Sequence, residues 1–160
     1  MKFCGKNIKL LVYDFDGVMT DNKALLFSNG DEAVFINRSD GLAIEKIKSL
    51  GILQVIISSE KNPIVLKRAK KLNIFAINGV DNKSKVLKKY LSNHKDIKLN
   101  EVAFIGNDLN DIEVMQKVGI RISPIDGAKE ILELSDYISK VKGGNGVIRD
   151  IYRKLIGENS

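Results

Sequence analysis

Asp14 and Asp16 stand one residue apart at the end of an apolar run, in Leu10-Leu11-Val12-Tyr13-Asp14-Phe15-Asp16-Gly17. Two carboxylates this close repel each other unless a cation or a proton sits between them. Their types suit an oxygen-liganded divalent metal, most simply Mg2+. They equally suit a nucleophile beside a general acid/base. A carboxylate nucleophile can accept a phosphoryl group, which water later removes. Asp and Gly are also common turn formers, so an isolated pair of this kind can simply end a strand.

Three further polar stretches follow the same logic. Ser58-Ser59-Glu60 closes the apolar run 52–57, and Gly106-Asn107-Asp108-Leu109-Asn110-Asp111 closes the run 102–105. Lys83 follows the loop 78–82 and opens a helical pattern. In an open parallel sheet, ligands bind outside the carboxyl ends of the strands, where all four stretches would lie.

Around these residues, apolar runs alternate with helical patterns. Strands are predicted at 8–14, 52–57, 74–77, 102–105, 120–122 and 137–138. Helices are predicted at 41–50, with Asp40 as N-cap, and at 62–72, 83–91, 110–118, 128–134 and 147–156. Asn29-Gly30 between two β-prone runs predicts a hairpin over about 24–37. Strand–helix alternation is the signature of an α/β, Rossmann-like, doubly wound and mainly parallel sheet with helices on both faces. No repeat, linker or low-complexity segment interrupts it, which predicts a single domain over 1–160.

Asp14-Phe15-Asp16-Gly17-Val18-Met19-Thr20-Asp21 resembles the first motif, D-x-D-G-[TV]-[LM]-[TS]-D, of the haloacid dehalogenase (HAD) superfamily of phosphohydrolases. The resemblance implies Asp14 as nucleophile and metal ligand, and Asp16 as acid/base and metal ligand. Ser58 stands where that family binds a phosphoryl oxygen, and Ser59-Glu60 replaces the G-R that follows in many relatives. Gly79-Val80-Asp81-Asn82-Lys83 resembles the segment G-[VI]-x-[DN]-K, which implies that Lys83 holds the phosphoryl group and the nucleophile; Lys85 is the rival. Gly106–Asp111 is similar to the fourth motif, G-D-x-x-x-D, with Asn107 at its first acidic position. Either Asn107 ligates the metal as a neutral amide or Asp108 compensates. Asp111 would act through a bound water or orient Lys83.

The branch it most resembles is the small HAD phosphatases without a cap domain, acting on KDO 8-phosphate or nonulosonate 9-phosphates. Phe35-Ile36-Asn37-Arg38-Ser39-Asp40-Gly41 resembles their F-x-x-R-D-G segment, and Gly143-Gly144-Asn145-Gly146-Val147-Ile148-Arg149-Asp150 their G-G-x-G-[AV]-x-R-E tail. The branch implies a Mg2+-dependent phosphatase of a small anionic sugar phosphate, with Ser59 and Arg149 on the substrate side. It also implies a homotetramer whose hairpins cover neighbouring sites. A phospho-accepting receiver domain is the alternative from another class, but its acceptor Asp should end the third strand, and 74–77 runs into Asn78. A catalytically weak binding protein of HAD fold is the other alternative, kept open by Asn107.

Composition sets outer bounds. The chain has 160 residues and a net charge of +6. Its lysines fall in helical stretches without interleaved aromatics, which disfavours nucleic acid as a partner and suits steering of an anionic small molecule. No run approaches the roughly 18 apolar residues of a membrane span. The first residues lack the apolar core of a signal peptide, and the single cysteine, Cys4, fits a reducing cytoplasm and reads as an incidental thiol.

Overall fold

The structure, a computed structural model, describes residues 2–3 and 6–157. Cys4 lies outside the described residues. In chain order the elements are β1 (Lys2–Phe3), β2 (Lys6–Asn7), β3 (Leu10–Tyr13), β4 (Leu25–Leu26), β5 (Glu32–Ala33), α1 (Arg38–Ser49), β6 (Leu53–Ile57), α2 (Ile64–Leu72), β7 (Phe75–Ile77), α3 (Lys83–Ser92), β8 (Val102–Ile105), α4 (Ile112–Met115), β9 (Ile120–Ser123), α5 (Lys129–Leu134), β10 (Tyr137–Ile138) and α6 (Val147–Leu155).

Six strands form one parallel sheet in the order β10-β9-β8-β3-β6-β7. β3 lies at its centre and is buried throughout, so it reads as a continuous apolar run, as strands covered on both faces do. Its side chains alternate between two cores. Leu11 and Tyr13 pack with Ile44 and Ile47 of α1, Val65 of α2 and Ile148 and Ile151 of α6. Leu10 and Val12 pack with Leu87 of α3, Val114 and Met115 of α4 and Ile131 of α5. Each such fully buried aliphatic side chain contributes about 1.5–3 kcal/mol over leaving it in water. The fold is therefore the expected α/β sheet with helices on both faces.

Four local expectations are corrected. Helix α1 begins earlier than Gly41, because the Asn37 side chain accepts a hydrogen bond from Ser39 N (2.9 Å) and takes the N-cap role. Asp40 is instead buried inside the first turn. The helix expected over 110–118 is a 3-10 turn, Leu109–Asp111, leading into the short α4. Asp108 and Asp111 cap that turn reciprocally and tighten it. The hairpin is present, but its strands have two residues each, with Leu25 opposite Ala33 and Leu26 opposite Glu32. Residues 27–31 form the connection, closed by Phe27 N to Asp31 O (2.8 Å), so Asn29-Gly30 is part of a longer loop. The antiparallel pair β1–β2 was not anticipated, because two-residue strands carry no readable period.

Candidate active site

The register places the chemistry. Tyr13 pairs with Ile56 of β6 and with Ile105 of β8, so these three strands end level. Asp14, Ser58 and Asn107 follow at one edge of the sheet. Lys83 reaches the same edge as the first residue of α3, capped by the Asn82 side chain on Lys85 N (2.8 Å).

Lys83 is buried and forms two short ion pairs, Nζ to Asp14 Oδ2 at 2.6 Å and Nζ to Asp111 Oδ1 at 2.6 Å. Lys85 is exposed on the far side of the helix. Asp14 also accepts from Phe15 N (2.7 Å), and Asp111 accepts from Asn107 N (3.0 Å) and Asp108 N (3.3 Å). Gly106 lets Asp111 approach: a Cβ there would lie 2.6 Å from Asp111 Oδ2.

Charge is unbalanced here. Burial and the neighbouring Asp111 carboxylate raise the Asp14 carboxyl, against the pull of Lys83. Burial alone would lower the Lys83 ammonium, but Asp14 and Asp111 outweigh it and hold it raised. Burial, then the charge of Glu60, raises Asp16, opposed by the hydroxyl of Thr20, which donates to Asp16 Oδ1 at 3.3 Å. One ammonium faces three carboxylates, so the cluster has room for a further cation.

Asn107 could offer such a cation an oxygen. Its Oδ1 is buried and, among the described residues, accepts no hydrogen bond, an orphan that needs a partner. Its side chain packs on Gly17, whose φ of +77° and missing Cβ make the contact possible; a Cβ would sit 2.0 Å from Nδ2. Asp14, Asp16 and Asn107 would offer hard oxygens, the set that suits Mg2+. Among the described residues no three His, Cys, Asp or Glu converge as a metal group, because the third oxygen is an amide. Asp108 is exposed and its carboxylate caps Leu109 N at 2.7 Å, so of the two candidates Asn107 is the one turned inward.

Ser58 is buried at the site, its hydroxyl accepting from Glu60 N (3.1 Å). Ser59 lies at the rim, where its Oγ accepts from Asn110 Nδ2 (3.3 Å). Arg149 is not gathered in. Its backbone N donates to Asp40 Oδ1 (3.1 Å), and among the described residues no polar contact joins its guanidinium to Asp14, Asp16, Ser58 or Lys83. Thr20, which the sequence analysis does not single out, is buried and organises the loop: it accepts from Gly17 N (3.2 Å) and Asn22 N (3.3 Å) besides donating to Asp16. The [TS] position of the first motif was its signal. β7 ends at Ile77, with Asn78 where a receiver domain would carry its acceptor carboxylate.

Comparisons with known proteins identify the family. Residues 6–151 match the family model of haloacid dehalogenase-like hydrolases. The chain is 32% identical over 156 residues to the 3-deoxy-D-manno-octulosonate 8-phosphate phosphatase of Escherichia coli K12, covering 94% of this chain and 80% of the relative. It is similar, at a TM-score of 0.89 and 33% identity, to the enzyme of that name from Moraxella catarrhalis, solved with magnesium, phosphate and KDO; 96% of this chain and 88% of that one are covered. The Yersinia pestis enzyme superposes with a TM-score of 0.89 at 30% identity, over 95% and 83% of the two chains. The chain belongs to the haloacid dehalogenase-like hydrolases, in the family of the 3-deoxy-D-manno-octulosonate 8-phosphate phosphatases.

Proposed function

We propose that this chain, as one domain, hydrolyses the phosphomonoester of a small keto-deoxy sugar acid, KDO 8-phosphate or a nonulosonate 9-phosphate. The observation that carries the reading is the buried Lys83 ammonium shared between Asp14 and Asp111 at the edge of the sheet. The magnesium, phosphate and KDO held by the Moraxella catarrhalis relative support the substrate class.

In this reading a carboxylate oxygen of Asp14 attacks phosphorus. The bond from phosphorus to the sugar oxygen breaks, and Asp16 gives that oxygen its proton. Asp16 then takes a proton from water, whose oxygen attacks the aspartyl-phosphate; the bond to Asp14 breaks and inorganic phosphate leaves. Lys83 and the Ser58 hydroxyl hold the phosphoryl oxygens as charge develops, and Asp111 orients Lys83. Asp14, Asp16 and Asn107 would hold Mg2+, which when bound offsets the negative charge of carboxylates and phosphate. Ser59 and Arg149 belong to substrate recognition. Since among the described residues no polar contact ties the Arg149 guanidinium to Asp14, Asp16, Ser58 or Lys83, its planar fork can serve the carboxylate of a substrate bound by a neighbour in a homotetramer. The single cysteine supports a cytoplasmic setting.

A weakly active binding protein is the second reading, favoured by the neutral Asn107. Phosphate release from KDO 8-phosphate and other sugar phosphates, with and without Mg2+, separates the two. Asp14→Asn should abolish release while leaving the melting temperature near that of the parent, because an amide does not attack phosphorus. Near-parent turnover in that variant would remove Asp14 as nucleophile.

A further inference from the structure

The segment 141–149 lies as a strap across the loop that carries Asp14 and Asp16. Gly144 N donates to Val18 O at 3.0 Å. A Cβ on Gly143 would lie 2.1 Å from Gly17 O, and one on Gly144 would lie 2.6 Å from Asp21 N. Backbone therefore packs directly on backbone, and only glycine fits. That closeness has a consequence. Three glycines in four residues leave the strap with wide conformational freedom, so its order must come from outside.

Besides the Gly144 N–Val18 O pair, two carboxylates supply it. Asp126, in the loop after β9, accepts from the buried Gly143 N at 2.9 Å. Asp40, buried in α1, accepts from Arg149 N at 3.1 Å. Helix α6 lacks a cap of its own: its N-cap residue is Gly146, at φ 96°, with no side chain to offer. Asp40 does that work from another helix. The Asp126 loop is in turn tied to the site, since Ala128 N donates to Asn107 O at 2.8 Å. Asn107, the 126–128 loop, the strap and the Gly17–Asp21 loop thus close a ring, because the Asn107 side chain packs on Gly17. In that ring the loop after β9 holds the strap twice, through Asp126 on Gly143 N and through Ile125 N donating to Val141 O at 3.1 Å.

We infer that Asp126 and Asp40 are positioning residues, clamping the glycine strap at both ends so that the Asp14–Asp16 loop is held against Asn107. The kinetic part of this inference rests on the phosphatase reading above; the clamp itself does not. Small displacements of a reacting group cost about a hundredfold in rate when the geometry is tight, and loss of a supporting contact about 10–100-fold.

The test uses the full chain with Asp126→Ala and Asp126→Asn. Hydrogen exchange is followed in peptides covering 15–22 and 141–149, alongside kcat and KM on a sugar phosphate. Asp126→Ala should speed exchange about tenfold or more in both segments. It should lower kcat about tenfold, with KM within about threefold. Asp126→Asn keeps an acceptor oxygen and should restore both. The alanine variant leaves the buried Gly143 amide without its acceptor, so it should melt somewhat below the parent, and Asp126→Asn should recover that loss. Parent-like exchange in Asp126→Ala overturns the clamp, as does equal impairment of the two variants. Faster exchange with unchanged kcat overturns the positioning role. Faster exchange in a chain that hydrolyses no phosphate ester would leave the clamp standing and remove the phosphatase reading.

Discussion

Lys83 and Asn107 carry the sharpest consequences at the scale of single residues. Lys83 is buried between two carboxylates, while Lys85 is exposed two residues on. Lys83→Ala should lower turnover by about 10²–10³-fold, the usual cost of removing a donor to the transition state. It should also destabilise by about 3–5 kcal/mol, because Asp14 and Asp111 are left buried without their cation. Lys85→Ala should stay within about threefold of the parent in turnover. Similar losses for the two would overturn the assignment of Lys83. For Asn107, the orphaned Oδ1 makes a different prediction. Asn107→Asp adds a charge beside Asp14 and Asp16, so the metal-free chain should melt lower. Added Mg2+ should then raise the melting temperature by more than in the parent, with half-saturation at a lower concentration. An unchanged Mg2+ dependence would remove Asn107 from the metal site.

At the scale of elements, the join between α1 and α6 decides a pH effect. Burial pushes Asp40 up to about 6, although the Arg149 and Ile148 amides and Arg68 pull it down. Its unfolded value lies near 4. A raised acid favours the folded chain while it is protonated. This contribution is therefore complete below about pH 4 and is lost as pH rises through about 6. Its full size is about 3 kcal/mol for a shift of about two units. Asp40→Asn keeps an acceptor for α6 and cannot ionise. Urea unfolding across pH 4–8 should show the variant gaining on the parent through that window and holding the gain above it. A constant difference across pH would show that Asp40 does not titrate in the fold.

At the scale of the whole molecule, the hairpin is the unsatisfied part. β4 and β5 form a sheet of their own, tethered where Asn62 Nδ2 donates to Glu32 Oε2 at 3.3 Å. Leu25, Leu26 and Phe35 are exposed by 57%, 67% and 79%. A lone two-stranded pair is marginal in water, and apolar side chains this open favour covering by another surface. Sedimentation at assay concentration should give a tetramer, and Phe35→Asp with Leu26→Lys should shift it to smaller species with lower turnover. A monomer that keeps full activity and selectivity on dilution would refute a shared site.

What the sequence determined by itself was local. Apolar runs ending in Asp14, Ser58 and Asn107 marked three strand ends, because burial on both faces of a central strand demands unbroken hydrophobicity up to the edge. Motif spacing singled out Lys83 over Lys85 before any contact was visible. Tertiary structure alone decided the rest. The Lys83–Asp111 pair spans 28 positions and the Asp40–Arg149 contact 109. No local pattern encodes either, so Asp40 read as an N-cap when its partner was the first turn of α6. Thr20 likewise stands in the first motif, but only the fold sets its hydroxyl on Asp16. Helix α4 came out short because a reciprocal cap between Asp108 and Asp111 overrode helical spacing. A side chain's type announces what it can do; which partner it meets is set by the packing of elements distant in the chain, and that packing is where the site acquires its geometry.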